Sequence, residues 1–289
     1  MTVREATTEA VVTLEAAGVS ARDAQVLLGH VLQRERAWVL AHADDAISLE
    51  ELETLRALTA RRATREPLQY ILGVQEFYGM EFAVTPAVLI PRPETELLVE
   101  AVELWATQRN SARTLQIVDV GTGSGAIAVT LATHVAGVRL TAVDISPRAL
   151  EVAKANARTH SADRRIDFLE NDLLTGMNEG IFDCVVSNPP YVPQLDLPTM
   201  QPEVTDHEPH LALFAGDDGL AVYRRLIPQA AHVLPHGGLL AMEFGFGQRE
   251  AIAELLKEWS EVRFLDDLAG IPRHVLAVRP RSMSEASQL

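Results

Sequence analysis

A chain of 289 residues, 47% hydrophobic and 22% charged, has the composition of folded globular protein and the length of about two domains. No apolar stretch approaches the ~20 residues of a membrane-spanning helix, and Cys184, the sole cysteine, excludes an internal disulfide. Twenty-five bases against forty acids give a net charge of −15, which opposes unaided approach to a nucleic-acid backbone and favours a protein substrate.

Met1-Thr2-Val3-Arg4-Glu5 brings an early acid and no apolar leader, so a cytoplasmic location is expected. Residues 1–66 read as a helical domain. Ser20 ahead of Asp23, and Ser48 ahead of Glu51, are Ser-x-x-acid capping signals followed by leucines and alanines at helical spacing. Val26, Leu27, Val31 and Leu32, then Leu49, Leu52, Leu55 and Leu58, supply the apolar stripes of a small bundle, with Trp38 packed into it. Arg56, Arg61, Arg62 and Arg65 share one predicted helix; they read as a solvated face, with contact to an acidic partner as the alternative. Residues 67–92 change character. Gly73, Gly79, Pro86 and Pro91, with alternating Phe77, Met80, Phe82 and Val84, predict a linker carrying a β-hairpin.

Over 93–280 the hydrophobic period alternates between helix and strand. Strands are predicted at 114–120, 138–144, 165–169, 181–187, 237–244, about 261–266 and 273–279. Helices are predicted at about 94–107, 124–135, 147–159, 219–234 and 248–258. This α/β alternation implies a seven-stranded, mainly parallel sheet covered on both faces, with ligands at the carboxyl ends of its strands. The short turn at Gly270 cannot make a parallel crossover, so one of the last two strands runs antiparallel. Residues 281–289 read as a flexible tail.

Asp119-Val120-Gly121-Thr122-Gly123-Ser124-Gly125 runs from a predicted strand into a helix, its glycines permitting close backbone approach. The next strand ends at Asp144, where a carboxylate can accept from both hydroxyls of a ribose. The Gly-x-Gly-x-Gly spacing departs from the dinucleotide fingerprint and resembles the first motif of S-adenosylmethionine-dependent methyltransferases. That likeness faces the loop toward the amino-acid part of the cofactor and lets Asp119 pair with its ammonium group, in part through water. After the third strand Asp172 can accept from the adenine amino group, or cap its loop, while Leu173 packs on the ring.

A second motif, Asn188-Pro189-Pro190-Tyr191, follows the strand ending at Ser187. Consecutive prolines donate no N–H and leave carbonyl acceptors that can face a planar –NH₂ group. Asn188 adds a side-chain carbonyl and Tyr191 a ring face. Such a site holds a delocalised nitrogen by its protons while it attacks a sulfonium methyl carbon; a rigid turn is the plainer reading. DNA and RNA amino methyltransferases share this motif pair, and the flanks decide. Pro67-Leu68-Gln69-Tyr70-Ile71-Leu72-Gly73, Glu76-Phe77-Tyr78-Gly79, Leu89-Ile90-Pro91-Arg92-Pro93-Glu94-Thr95-Glu96, Glu208-Pro209 and Asp218-Gly219-Leu220 with Tyr223-Arg224 resemble the HemK/PrmC family of release-factor glutamine-N5 methyltransferases.

The resemblance implies a class I methyltransferase domain of Rossmann-like fold behind a helical domain that helps bind a class 1 peptide-chain release factor. The target is the glutamine of its Gly-Gly-Gln loop. It places Gly121, Thr122, Gly123, Ser124, Gly125 and Asp144 around S-adenosylmethionine, with Asn188, Pro189, Pro190 and Tyr191 on the glutamine amide. Arg92 and Glu94 either join the rim of the site or fix the linker by ion pairing. Neither a stable nucleic-acid complex nor membrane association is expected. His207 and His210 fall in the proline-rich segment 189–209, but no compact ligand set completes a metal site there. Cys184 reads as a small core residue, and Trp105 and Trp259 as helix-packing residues.

Overall fold

A computed structural model describes residues 1–109 and 113–280, so the segment read as a tail, 281–289, lies outside the described residues. Two compact units emerge: Met1–Val74 with Met200–His207, and Gln75–Thr199 with Glu208 onward.

The first unit is helical: α1 (Val3–Ala16), α2 (Arg22–Leu32), α3 (Arg36–Ala41), α4 (Leu49–Ala63) and α5 (Leu68–Leu72). Its core holds Leu14, Leu27, Leu28, Leu55 and Ile71. Since Ile71 belongs to α5, part of the segment read as linker packs in the helical unit. The Ser48–Glu51 capping box is formed, and Thr2–Glu5 makes a second. The box expected at Ser20 is not. The α2 N-cap is Ala21 without a side-chain bond, because the Asp23 carboxylate is taken by Arg62 Nε at 2.8 Å. Leu49 is exposed rather than part of the apolar stripe, while Trp38 lies half-buried against the core. The four arginines form no open basic face. Arg56 pairs with Glu9, Arg61 with Glu66, Arg62 with Asp23 and Glu203, and Arg65 with Glu203.

The second unit opens with the hairpin β1 (Val74–Phe77) and β2 (Met80–Ala83). Tyr78 and Gly79 both take positive φ at its two-residue turn, as a right-twisted hairpin requires. There follow α6 (Glu94–Gln108), β3 (Leu115–Val120), α7 (Ala126–His134), β4 (Val138–Asp144), α8 (Pro147–Thr159), β5 (Ile166–Glu170) and β6 (Cys184–Ser187). After α9 (Pro202–Thr205), which belongs to the helical unit, come α10 (Ala221–Val233), β7 (Leu239–Glu243), α11 (Arg249–Leu255), β8 (Ser260–Asp266) and β9 (Pro272–Val278). Trp259 lies in the turn between α11 and β8, not in a helix, and packs on the core from there.

The seven strands stand in the order β5-β4-β3-β6-β7-β9-β8, parallel except for β9, which runs antiparallel to both neighbours. Successive β3 residues supply opposite faces. Ile117 joins a core with α6 and α7, and Val118 one with α10 and α11. Such double coverage is why the strands read as nearly continuous apolar runs. The chain starts at β3, winds out to β5, then returns to β6 on the other side. This reversal between β3 and β6 opens a crevice at their carboxyl ends.

Candidate active site

The two sequence motifs occupy that crevice, one after β3 and one after β6. A cleft of about 980 Å³, counting its open mouth, is lined by Gly121, Gly123, Asp144, Asp172, Leu173, Asn188 and Pro190. Val88 and Leu89 of the linker and Leu211 after the proline-rich segment complete its walls.

On the β3 side the loop is built from backbone. Gly121, Gly123 and Gly125 have φ of 73°, 56° and 82°, a region costly to any residue with a Cβ. A methyl added at Gly121 would meet open space, so the backbone there presents itself to the cleft, whereas one at Gly125 would press on Ala153 at 3.1 Å. Gly125 therefore serves close packing of α7 on α8, not the cleft. The Asp144 carboxylate closes β4 and accepts from Gly123 N and Ser146 N, both at 2.9 Å. Partial burial raises its pKa against those bonds.

Asp119 lies beneath the loop and is 1% exposed. Its Oδ2 accepts from the Thr122 hydroxyl at 2.7 Å and from Ala128 N at 3.2 Å, while Oδ1 has no hydrogen-bond partner. Burial pushes its pKa up to about 7, against the lowering effect of those two bonds. Thr122 and Ser124 are buried behind the loop. Asp172 and Leu173 reach the wall, but an Asp172 oxygen is held by Arg225 at 2.6 Å and its carbonyl caps Thr175, the role read as its alternative.

On the β6 side the holding groups are side chains from distant segments. Asn188 Nδ2 donates to Thr95 Oγ1 at 2.9 Å, and that hydroxyl donates to Glu243 Oε2 at 2.6 Å. Tyr191 donates its hydroxyl to Glu243 Oε1 at 3.2 Å, and its backbone carbonyl accepts from Gln248 Nε2 at 2.9 Å. Burial, reinforced by the Glu243 charge, lifts the Tyr191 phenol well above its ordinary pKa, so it stays a donor. Pro189 is buried beneath the segment and Pro190 lines the cleft. The sequence reading missed Thr95 and Glu243. The available signal was an acid closing the otherwise apolar strand Leu-Leu-Ala-Met-Glu, since buried acids are rare without partners.

Arg92 pairs with Glu208 at 2.5 Å, and Glu208 also accepts from Ile90 N at 3.2 Å, so this arginine fixes the linker. Glu94 is exposed at the start of α6. Cys184 is fully buried, with its thiol pushed up by burial, and faces no cleft. Among the described residues no group of three or more His, Cys, Asp or Glu could hold a metal ion, and no helix is long and apolar enough to cross a membrane.

The cleft suits S-adenosylmethionine on three observations: a backbone surface at Gly121, a carboxylate at Asp144, and a buried acid whose free oxygen lacks a partner. Residues 5–73 match the family model of the PrmC N-terminal domain, and residues 93–205 that of the methyltransferase small domain. The release factor glutamine methyltransferase of Koribacter versatilis is 41% identical over 285 residues, 98% of this chain and 100% of that protein. That of Geobacter sulfurreducens is 44% identical over 226 residues, 78% of this chain and 77% of that protein. Among solved structures, the hMettl16 catalytic domain in complex with a MAT2A 3'UTR hairpin matches at a TM-score of 0.57 and 17% identity. The match covers 78% of this chain and 83% of that one, a likeness of fold alone.

Proposed function

The chain belongs to the release factor glutamine methyltransferase family, and from that premise we propose that it methylates the side-chain amide nitrogen, N5, of the glutamine in the Gly-Gly-Gln motif of class 1 peptide-chain release factors, supporting translation termination in the cytoplasm. The methyl donor is S-adenosylmethionine. One observation carries the reading: Asn188 and Pro190 line the same cleft as Gly121, Gly123 and Asp144. An amide-accepting segment and a nucleoside-binding loop therefore meet in a single space.

When bound, the cofactor supplies a sulfonium methyl, an electrophile whose thioether leaving group needs no proton. The work left to this chain is positioning. Asp144 would hold the ribose hydroxyls, Leu173 would pack on the adenine, and Asp119 would act on the ammonium from beneath the loop, in part through water. Asn188 Oδ1 and the carbonyls beside Pro189 and Pro190 would accept the amide N–H groups and so orient the nitrogen toward the methyl. Transfer would form the N–CH₃ bond as the S–CH₃ bond breaks; the acceptors stabilise the positive charge that develops on the N–H groups, and the methylated nitrogen then gives one proton to solvent. Tyr191 sets a ring beside the planar amide. We assign residues 1–66 and the following α5 to recognition of the intact release factor, since they contain none of the cleft residues.

Labelled cofactor incubated with release factor, free DNA and ribosomal RNA tests the reading. Label on the Gly-Gly-Gln glutamine is expected. Label on nucleic acid alone would transfer the assignment to the amino methyltransferases that share the motif pair.

A further inference from the structure

Asn188 can serve as an acceptor only if its amide is turned the right way, and nothing in Asn188 itself decides between carbonyl and –NH₂. The decision lies two bonds away. Glu243 is 2% exposed at the end of β7. As a carboxylate it offers acceptors only, so Thr95, 2.6 Å from Oε2, must spend its one proton there. The Thr95 oxygen is then left to accept, and it accepts from Asn188 Nδ2 at 2.9 Å. Asn188 Oδ1 remains without a hydrogen bond among the described residues. The second oxygen of Glu243 takes the Tyr191 hydroxyl at 3.2 Å. The other group facing the carboxylate is His274, fully buried, with Nε2 3.7 Å from Oε2.

Resting on the proposed glutamine specificity, we propose that Glu243 is a positioning residue: through Thr95 it sets the polarity of the Asn188 amide, and through Tyr191 it anchors the other end of the same segment. A Gln at this position can donate to Thr95, releasing the threonine proton toward Asn188. The amide then turns its –NH₂ toward the substrate, where it meets donors with a donor.

Two measurements on the full chain test this. In protein labelled with ¹⁵N at its five asparagines, the Asn188 side-chain –NH₂ protons should exchange slowly in wild type and Thr95→Ser. They should exchange at least tenfold faster in Glu243→Gln and Thr95→Val. Single-turnover methyl transfer at saturating cofactor should fall at least tenfold in Glu243→Gln and Thr95→Val and stay within threefold in Thr95→Ser. Cofactor Kd should remain within twofold throughout. The double variant should lose no more than the worse single variant, because the two residues act in series on Asn188. Unchanged Asn188 exchange in Glu243→Gln, or losses that multiply in the double variant, would overturn the proposal. Failure of wild type to methylate release factor would sink the proposed function, while the exchange measurement still decides the role of Glu243.

Discussion

The two walls of the cleft are held in different ways. The cofactor wall is local: Asp119 through Gly125 is one continuous stretch, and its outside supports, Asp144 and Ala128, belong to the neighbouring strand β4 and the helix that the loop itself opens. The acceptor wall is assembled across the chain, since Asn188 depends on Thr95, 93 positions earlier, and Tyr191 on Glu243, 52 positions later. A backbone loop can be damaged piecemeal. A side-chain network conveys damage from any member to the rest. Cofactor binding and methyl transfer should therefore respond to different substitutions.

The largest separation is expected for Asn188→Ala. It removes an acceptor whose bond strengthens as the nitrogen attacks, so single-turnover transfer should fall about 10²–10³-fold, by analogy with loss of an oxyanion-hole donor. Cofactor affinity measured by calorimetry should hardly change. A loss below about threefold would leave Asn188 as the cap of its strand. Asp144→Ala probes the other wall. Removing a charged acceptor should weaken cofactor binding by about 1.5–3 kcal/mol, and an unchanged Kd would place the ribose elsewhere.

Gly219→Ala tests whether the acceptor wall is sensitive to backbone crowding. Gly219 has φ of 73°, and a Cβ there would stand 2.3 Å from the Tyr191 carbonyl and 2.6 Å from Gln248 Nε2. The segment must move. Displacements of this kind should lower transfer about tenfold without touching cofactor affinity. Equal loss of both would mean that the walls are coupled through the loop.

The same contrast explains what could be read from the sequence. Strand-loop-helix units announce themselves in ten or fifteen consecutive residues, so β3, its glycine loop, the Asp144 terminus of β4 and the antiparallel β9 were all legible. The Thr95–Glu243 pair spans 148 positions and has no local signature. Long-range competition also undid two local readings. Asp23 leaves the Ser20 box because Arg62 claims its carboxylate, and Arg62, read as part of a solvated face, is itself buried against Asp23 and Glu203, while Arg56 and Arg61 stay exposed as read. Strand β6 begins at Cys184, three residues later than its apolar run suggests. Phe182 and Asp183 give their N–H groups to Val233 and Gln116, outside the ladder.

The smallest expected effect concerns pH, where the walls should again diverge. Asp119 is pushed up to about 7 by burial, with the Asp144 charge adding to the rise and the Thr122 and Ala128 bonds opposing it. A carboxyl whose pKa is higher folded than unfolded binds its proton more tightly in the native state. Its contribution to stability is thus complete below the ordinary value of 3.8 and is lost as pH rises through about 7. Between pH 6 and pH 8 this amounts to about 1.4 kcal/mol in the cofactor-free protein. Asp119→Asn cannot titrate, yet its oxygen can still accept from Thr122 and Ala128. Urea unfolding of both proteins at the two pH values isolates the residue. The wild-type stability, relative to the variant, should drop by about 1.4 kcal/mol on going from pH 6 to 8. The acceptor wall should contribute nothing to this difference through Tyr191, whose phenol is held far above that window by burial beside Glu243. A pH-independent difference would show that Asp119 keeps one protonation state throughout, and that the two walls do not diverge through it over this range.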